Sequence, residues 1–312
     1  MEPDRAATLR RRVEVPASWE GERLDHFLAQ FLELGNRSRL RSRGVRATIN
    51  GSAARLSRKV RAGDVVEAEL PPLQPSPLEP EKIELSILFE NRDLLVIDKP
   101  QGMVVHPGAG NPRGTLVNAL IYHSEELREA FPHGPQERPG VVHRLDKETS
   151  GVIIAAKHPD ALERLASQFK RRTTEKVYIA ILRGHLPRGE GELSGYIRRD
   201  PRNRKRFVYS AVEGKAARTK YKVLRRFASG YTLVRFEPTS GRTHQLRVHA
   251  AHLQAPILGD PVYSRRDNRF PEATMMLHAF SLKITVPGET EPRRFRAPLP
   301  KRFRYVVDAL HS

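Results

Sequence analysis

The sequence predicts an α+β protein in two parts: a small N-terminal α/β module, then a larger domain built on a mixed, mostly antiparallel sheet with flanking helices. Three observations carry this reading. Residues 71 to 80, Pro-Pro-Leu-Gln-Pro-Ser-Pro-Leu-Glu-Pro, hold five prolines and no hydrophobic periodicity, as an extended connector does. Beyond them, hairpin patterns stand beside isolated helical ones, without the regular alternation that builds a parallel sheet. Finally, 312 residues with 38% hydrophobic content suffice for about two domains and a sizeable core. The expected organisation is a module over 1–72, a proline-rich linker over 73–83 and the main domain over 84–312.

In the first part, Leu24, Phe27, Leu28, Phe31 and Leu32 recur at the spacing of one helical face and predict a helix over 23–33. Residues 36–61 follow with nine basic side chains (Arg37, Arg39, Arg41, Arg43, Arg46, Arg55, Arg58, Lys59, Arg61) and no acid. Asn50-Gly51 and Gly63-Asp64 mark turns, and Val66, Ala68 and Leu70 alternate with Glu67 and Glu69 in a closing strand. In the second part, residues 94–98 read as a strand stopped by Pro100 and Gly102. Leu116, Val117, Leu120 and Ile121 predict a helix behind Thr115, and Leu162, Leu165, Ala166 and Phe169 another. Val141-Val142 reads as the end of a buried strand, and Val152 to Ala156 as the next one after the turn Thr149-Ser150-Gly151. Val177 to Leu182 is a strand, and residues 219–226 and 231–236 form a hairpin around Ser229-Gly230.

Lysine and arginine total 55 against 36 acids, a formal net charge of +19, which favours a polyanionic partner. A membrane surface is the competing polyanion. No apolar run approaches the roughly 20 residues of a spanning helix, and no long basic amphipathic helix is visible, so nucleic acid is the better reading. With no cysteine, disulfides, thiolate catalysis and cysteine zinc sites are excluded together. The start, Met1-Glu-Pro-Asp-Arg, carries early acids and no apolar core of a signal peptide, so the expected location is cytoplasmic.

The densest chemistry lies in residues 140 to 151, Gly-Val-Val-His-Arg-Leu-Asp-Lys-Glu-Thr-Ser-Gly. Asp146 falls on a loop between apolar segments, where a carboxylate must be solvated, paired or functional. It is either a candidate nucleophile or an acid that caps a turn or pairs with Arg144, since structural ion pairs mimic active sites. In Gly241-Arg-Thr-His-Gln-Leu-Arg-Val-His, the residues Leu246, Ala250 and Leu253 share a helical face and Arg247 points off it. Arg242, His244 and Arg247 then surround a helix start. An arginine there would pair with Asp146, hold its charge and fix its orientation; the segment would equally suit a phosphate at a helix N-terminus. His244, His249 and His252 lack the His-Glu-x-x-His spacing and an acid cluster, so no metal site is expected. His-Arg-Leu-Asp has the wrong order for a kinase catalytic loop, and no glycine-rich phosphate loop precedes it. Residues 198–206 pack six basic side chains into nine, among them Arg204 and Arg206, a solvated loop suited to gripping phosphates. Tyr178 is either ordinary core or a platform for an unpaired base.

Taken together, these segments resemble the RluA-type pseudouridine synthases, and within them the RluC and RluD branch that modifies ribosomal RNA. The resemblance covers nearly the whole chain. It is carried by Asp98-Lys-Pro-Gln-Gly-Met-Val-Val-His-Pro-Gly-Ala-Gly-Asn-Pro, His143-Arg-Leu-Asp-Lys-Glu-Thr-Ser-Gly, Lys176-Val-Tyr-Ile-Ala, the Gly241 segment above, and Pro256-Ile-Leu-Gly-Asp-Pro-Val-Tyr. The N-terminal module resembles the S-four RNA-binding domain through Arg37-Ser38-Arg39, Asn50-Gly51 and Lys59-Val-Arg-Ala-Gly-Asp64. It departs from that pattern over Leu40 to Ile49, which is about two residues short and lacks an apolar pair in the second helix.

The resemblance implies isomerisation of uridine to pseudouridine in RNA, most readily large-subunit ribosomal RNA, in which the N1 glycosidic bond breaks and C5 is rejoined to the ribose. Reactant and product are isomers, so no cofactor is expected. By position Asp146 is the nucleophile, Tyr178 lies against the uracil, Arg247 pairs with Asp146, and Leu246 packs beneath the site. Arg144 matches the side chain that fills the space left by a flipped nucleotide, with His143, Arg242 and His244 around it; flipping costs roughly a few kcal/mol. Arg37, Arg39, Arg204 and Arg206 are expected to hold RNA. The alternatives are a non-catalytic RNA-binding ribosome-assembly factor and a tRNA-directed synthase, and the default assembly state is a monomer.

Overall fold

The computed structural model describes residues 8–32, 40, 44–70, 78–108, 110–131, 139–203 and 206–311. The chain divides into an N-terminal unit ending at Leu78 and a larger unit from Glu79 onward. Arg37, Arg39, Arg41, Arg43 and Arg204, and the connector over 71–77, lie outside the described residues.

In the N-terminal unit, strands β1 (Leu9–Glu14), β2 (Arg46–Ile49), β3 (Ser52–Ala53) and β4 (Val65–Leu70) form an antiparallel sheet in the order β1-β4-β2-β3. Helix α1 (Leu24–Gln30) sinks Leu24, Phe27 and Leu28 of its periodic apolar face against Val15, Leu40, Ile49 and Val60, and against Val66 and Leu70 of the alternating closing strand. Asn50 and Gly51 adopt φ of 51° and 76°, the left-handed pair that a tight hairpin needs. The Asn50 side chain bonds both the Asp64 carboxylate and the Val65 N–H, tying the two turns read from the sequence to each other.

The larger unit is built on strands β5 (Ile87–Glu90), β6 (Leu94–Lys99), β7 (Ser150–Ala156), β8 (Glu175–Arg183), β9 (Glu190–Arg199), β10 (Phe207–Ser210), β11 (Lys215–Phe227), β12 (Tyr231–Pro238), β13 (Leu277–Thr285) and β14 (Pro292–Arg296). They form one sheet in the order β10-β9-β11-β12-β8-β13-β7-β6-β5, with β14 paired to β13. Every pair is antiparallel except β13 with β7. Helices α2 (Leu116–His123), α3 (Glu125–Ala130), α4 (Pro159–Arg171), α5 (Gln245–His252) and α6 (Lys301–His311) flank it. The main core packs β8 and β12 against Leu246 and Ala250 of α5 and Phe303, Val306 and Leu310 of α6.

The parallel contact is short, His278 with Ser150 and Ala279 with Gly151, and it depends on a glycine. Gly151 has φ +113°, and a Cβ there would lie 2.2 Å from the Ala279 carbonyl oxygen. This crossing fixes the chain five residues after Asp146. One expectation is corrected here: Val141-Val142 is not the end of a strand but a single bridge from Val141 to Ala155. Past Gly151, β7 runs away from β13, and the Ile154 N–H is taken by the ring nitrogen Nε2 of His143 at 3.1 Å in place of a neighbouring strand. Among the described residues no helix is long and apolar enough to cross a membrane.

Candidate active site

Asp146 lies on the loop before β7, its carbonyl accepting the Thr149 N–H in a tight turn. Its carboxylate reaches Arg247, on the first turns of α5, with Arg247 Nη1 donating to Oδ2 at 3.1 Å. The same guanidinium makes two bonds to Asp260, Nε to Oδ2 at 2.7 Å and Nη2 to Oδ1 at 2.8 Å. Asp260 is itself fixed by the backbone N–H groups of Val262 and Tyr263, and neither Asp260 nor Arg247 is more than 4% exposed. A guanidinium that serves two carboxylates in this way cannot swing, so it holds one oxygen of Asp146 in place. Burial works against the Arg247 charge, but Asp260 and then Asp146 outweigh it and raise its pKa further above the ordinary value.

Around this axis the sequence candidates converge. Arg144, Asp146, Tyr178, Arg242, His244, Leu246 and Arg247 line one cleft, with Thr149, Pro238 and Leu277 among the remaining walls. Tyr178 comes from β8, and burial, with the negative charge of Asp146 adding to it, pushes its phenol well above the ordinary tyrosine value. It stays protonated at neutral pH. His244 caps α5 with φ +57°, and its Nε2 stands 3.8 Å from Asp146 Oδ2, beyond hydrogen-bond range. Its Nδ1 is bonded to the Tyr263 hydroxyl at 2.9 Å, which in turn accepts the Phe207 N–H at 2.8 Å. Burial lowers the His244 pKa below the usual histidine value, so the ring is neutral at pH 7. The Arg242 guanidinium donates to the Ala216 carbonyl at 2.9 Å, and Arg206 stacks over the Tyr263 ring at 5.1 to 5.5 Å together with Arg247. Arg144 is exposed at the cleft and makes no ion pair or side-chain hydrogen bond among the described residues.

His143 departs from its expected place. It does not line the cleft; its ring stacks on Phe169 at 4.6 Å and accepts the Ile154 N–H. Burial, aided by the charge of Lys176, pushes its pKa down to about 3. It is a neutral strut under the Asp146 loop and offers no charge to RNA.

Three supporting residues carried no role in the sequence reading. Asp260 and Tyr263 lie in the Pro256 segment and Lys99 in the Asp98 segment, so their motifs were visible while their partners were not. Lys99 is fully buried and donates to the carbonyls of Pro100, Met103 and Lys147 at 2.8, 2.9 and 3.2 Å, tying the loop after β6 to the residue beside Asp146. Burial lowers its pKa to about 8. Gly259, with φ +72°, sits where a Cβ would come 2.3 Å from the Thr274 carbonyl oxygen, so glycine is needed to aim Asp260 at Arg247.

Comparison with known proteins agrees with this geometry. The profile of the RNA pseudouridylate synthase family matches residues 93–252. Ribosomal large subunit pseudouridine synthase D of Borreliella burgdorferi is 42% identical over 287 residues, covering 90% of this chain and 87% of that protein. An uncharacterized RNA pseudouridine synthase of Aquifex aeolicus is 39% identical, covering 96% of this chain and 97% of its own. Among solved structures, human RNA pseudouridylate synthase domain containing 4 superposes with a TM-score of 0.56 at 27% identity, covering 72% of this chain and 93% of that one. Fold and site together define an isomerase that acts on RNA. The chain belongs to the RNA pseudouridylate synthase family, in its RluA branch.

Proposed function

We propose that this enzyme isomerises uridines of large-subunit ribosomal RNA, with Asp146 as the nucleophile. The observation that carries the proposal is the Asp146 carboxylate held by Arg247 at 3.1 Å in a cleft walled by Tyr178 and Leu246. The target follows the relatives named for the large ribosomal subunit. A flipped uridine enters with its uracil against Tyr178 and Leu246, and its ribose C1′ or its ring presented to Asp146. Asp146 bonds to the nucleotide as the N1–C1′ bond breaks with its electron pair left on the uracil. The uracil turns while held against Tyr178, C5 bonds to C1′, the bond to Asp146 breaks to restore the carboxylate, and, while N1 takes up a proton, the C5 proton leaves. Because the Tyr178 phenol stays protonated, any help it gives with that proton passes through the neutral oxygen, not through a phenolate. No redox carrier or nucleotide cofactor takes part. Exposed and unpaired, Arg144 fills the space that the flipped nucleotide leaves.

Residues 1–72 serve as an S-four-like RNA-binding domain, joined through the linker over 73–83 to the catalytic domain over 84–312. The exposed Arg55, Arg58, Lys59 and Arg61 supply phosphate contacts there. The enzyme acts in the cytoplasm as a monomer. The test is pseudouridine mapping of ribosomal RNA from cells with the gene deleted, with and without the gene restored. Sites lost in large-subunit RNA and regained on restoration are expected. Loss confined to transfer RNA would overturn the target, and no lost site would favour an assembly factor that only binds.

A further inference from the structure

An open groove of about 410 Å³ lies beside the catalytic cleft on β9 and β11, with Arg172, Ser194, Tyr196, Ala216, Arg218 and Ser240 in its lining. Ser240 lines the cleft as well, so the two spaces meet there. Lys176 stands on the same side of β8 as Tyr178, one alternate position away, and its ammonium is anchored on Ser240. None of the chemistry assigned to Asp146 and Tyr178 uses this groove.

Three cations from three elements converge on it. Arg172, the residue that ends α4, is exposed and makes no ion pair or side-chain hydrogen bond among the described residues. Lys176 Nζ donates to the Ser240 carbonyl at 3.1 Å and has donors left over. Arg242 Nε donates to the Ala216 carbonyl at 2.9 Å, and its two terminal nitrogens have no partner among the described residues. No carboxylate among the described residues pairs with any of the three. The acid of this face, Glu192, is taken by Arg218 at 2.7 Å and by the Ser194 hydroxyl at 3.2 Å, so Arg218 adds a wall and little free charge. Burial, and then the charges of Arg172 and Arg242, lower the Lys176 pKa to about 8. The three cations are thus close enough to repel one another, yet Lys176 remains mostly charged at pH 7.

We propose that Arg172, Lys176 and Arg242 seat one phosphate of the substrate strand, that of a nucleotide one or two positions from the target uridine. The inference rests on the proposed function, since it takes the target to lie between Asp146 and Tyr178. The seat begins about 7 Å along β8 from Tyr178, which keeps its phosphate close to the target in sequence. A phosphate oxygen accepts the donors that the protein leaves unused, and its charge relieves the mutual repulsion of the three cations. Lys176 and Arg242 are held by backbone carbonyls, so they meet the phosphate in fixed positions. Such a contact carries no base preference; it sets the register in which the strand presents a uridine to Asp146.

The test uses the full-length enzyme and a large-subunit RNA fragment that carries the target uridine. Neutral methylphosphonates replace the three linkages on either side of that uridine, one at a time, and kcat/KM for pseudouridine formation is measured for each RNA. With wild type, one linkage is expected to cost about tenfold. Arg172→Gln and Lys176→Gln should each shrink that penalty to about threefold and leave the penalties at the other linkages as they are. Arg58→Ala, which removes a surface charge of the N-terminal unit, should change none of them. Each penalty is a ratio within one enzyme preparation, so partial loss of folding cancels. No penalty at any linkage in wild type, a penalty untouched by both substitutions, or an equal change with Arg58→Ala overturns the seat and leaves the proposed function standing. Failure of wild type to form pseudouridine in the unmodified fragment and in intact large-subunit RNA overturns both.

Discussion

The floor of the active site and the surface of the N-terminal unit use the same residue, arginine, in opposite settings. Arg247 is buried, engaged by Asp146 and Asp260 and stacked on Tyr263. Arg55, Arg58 and Arg61 stand exposed, with no carboxylate partner among the described residues. A cation that is fixed on all sides can orient a nucleophile but has no freedom left to follow RNA. One that is solvated can track phosphates but orients nothing. The two regions should therefore fail differently: the floor through turnover and stability, the surface through affinity and its salt dependence.

The largest effect should come from Arg247→Leu. Removing the guanidinium leaves the buried Asp260 charge with its backbone N–H bonds but no counter-ion, a loss of roughly 3–5 kcal/mol that urea denaturation would register. A milder cut, Asp260→Asn, keeps the shape and loosens only the support. It should lower kcat about a hundredfold with little change in KM, since a misplaced catalytic group costs about that much. A change confined to KM would mean that Arg247 grips substrate and does not position Asp146.

Acid sensitivity should follow the same division. In the catalytic unit, burial pushes His143 down to about 3 and His249 and His278 to about 4, from an ordinary 6.5. The unfolded chain takes up these protons near pH 6.5 and the folded chain does not. Stability from these groups is thus fully present above pH 6.5 and is lost as the pH falls toward 4 and 3, by on the order of a few kcal/mol. His143→Gln keeps an acceptor for the Ile154 N–H and should flatten part of that fall in urea midpoints. An unchanged slope would remove His143 from the explanation. The smallest effects belong to the surface: Arg58→Ala or Arg61→Ala should reduce the salt slope of RNA binding by about one unit each and leave kcat alone.

The parts of this site that follow from local pattern were legible in the sequence. The apolar period of Leu246, Ala250 and Leu253 announced α5, and with it the place of Arg247. Thr115 announced the start of α2, whose capping box the structure contains. Strands β9 and β14 escaped because they carry charged residues on their exposed faces and lack a clean apolar alternation. Val141-Val142 has a strand's composition, but no full strand can pair there while His143 occupies the Ile154 N–H. Asp260 and Tyr263 lie on a loop, where no periodicity reports partners 13 residues back at Arg247 and 19 residues back at His244. Their function is tertiary, and only the fold brings it out.

The central claim is that Asp146, oriented by Arg247 and Asp260, forms the bond to the substrate. The most direct measurement is release of tritium from C5-labelled uridine in large-subunit RNA transcript, comparing wild type with Asp146→Asn at matched RNA binding. The account predicts release by wild type and none by the variant, with RNA affinity nearly unchanged. Full release by Asp146→Asn would contradict it, because a carboxamide cannot serve as the nucleophile.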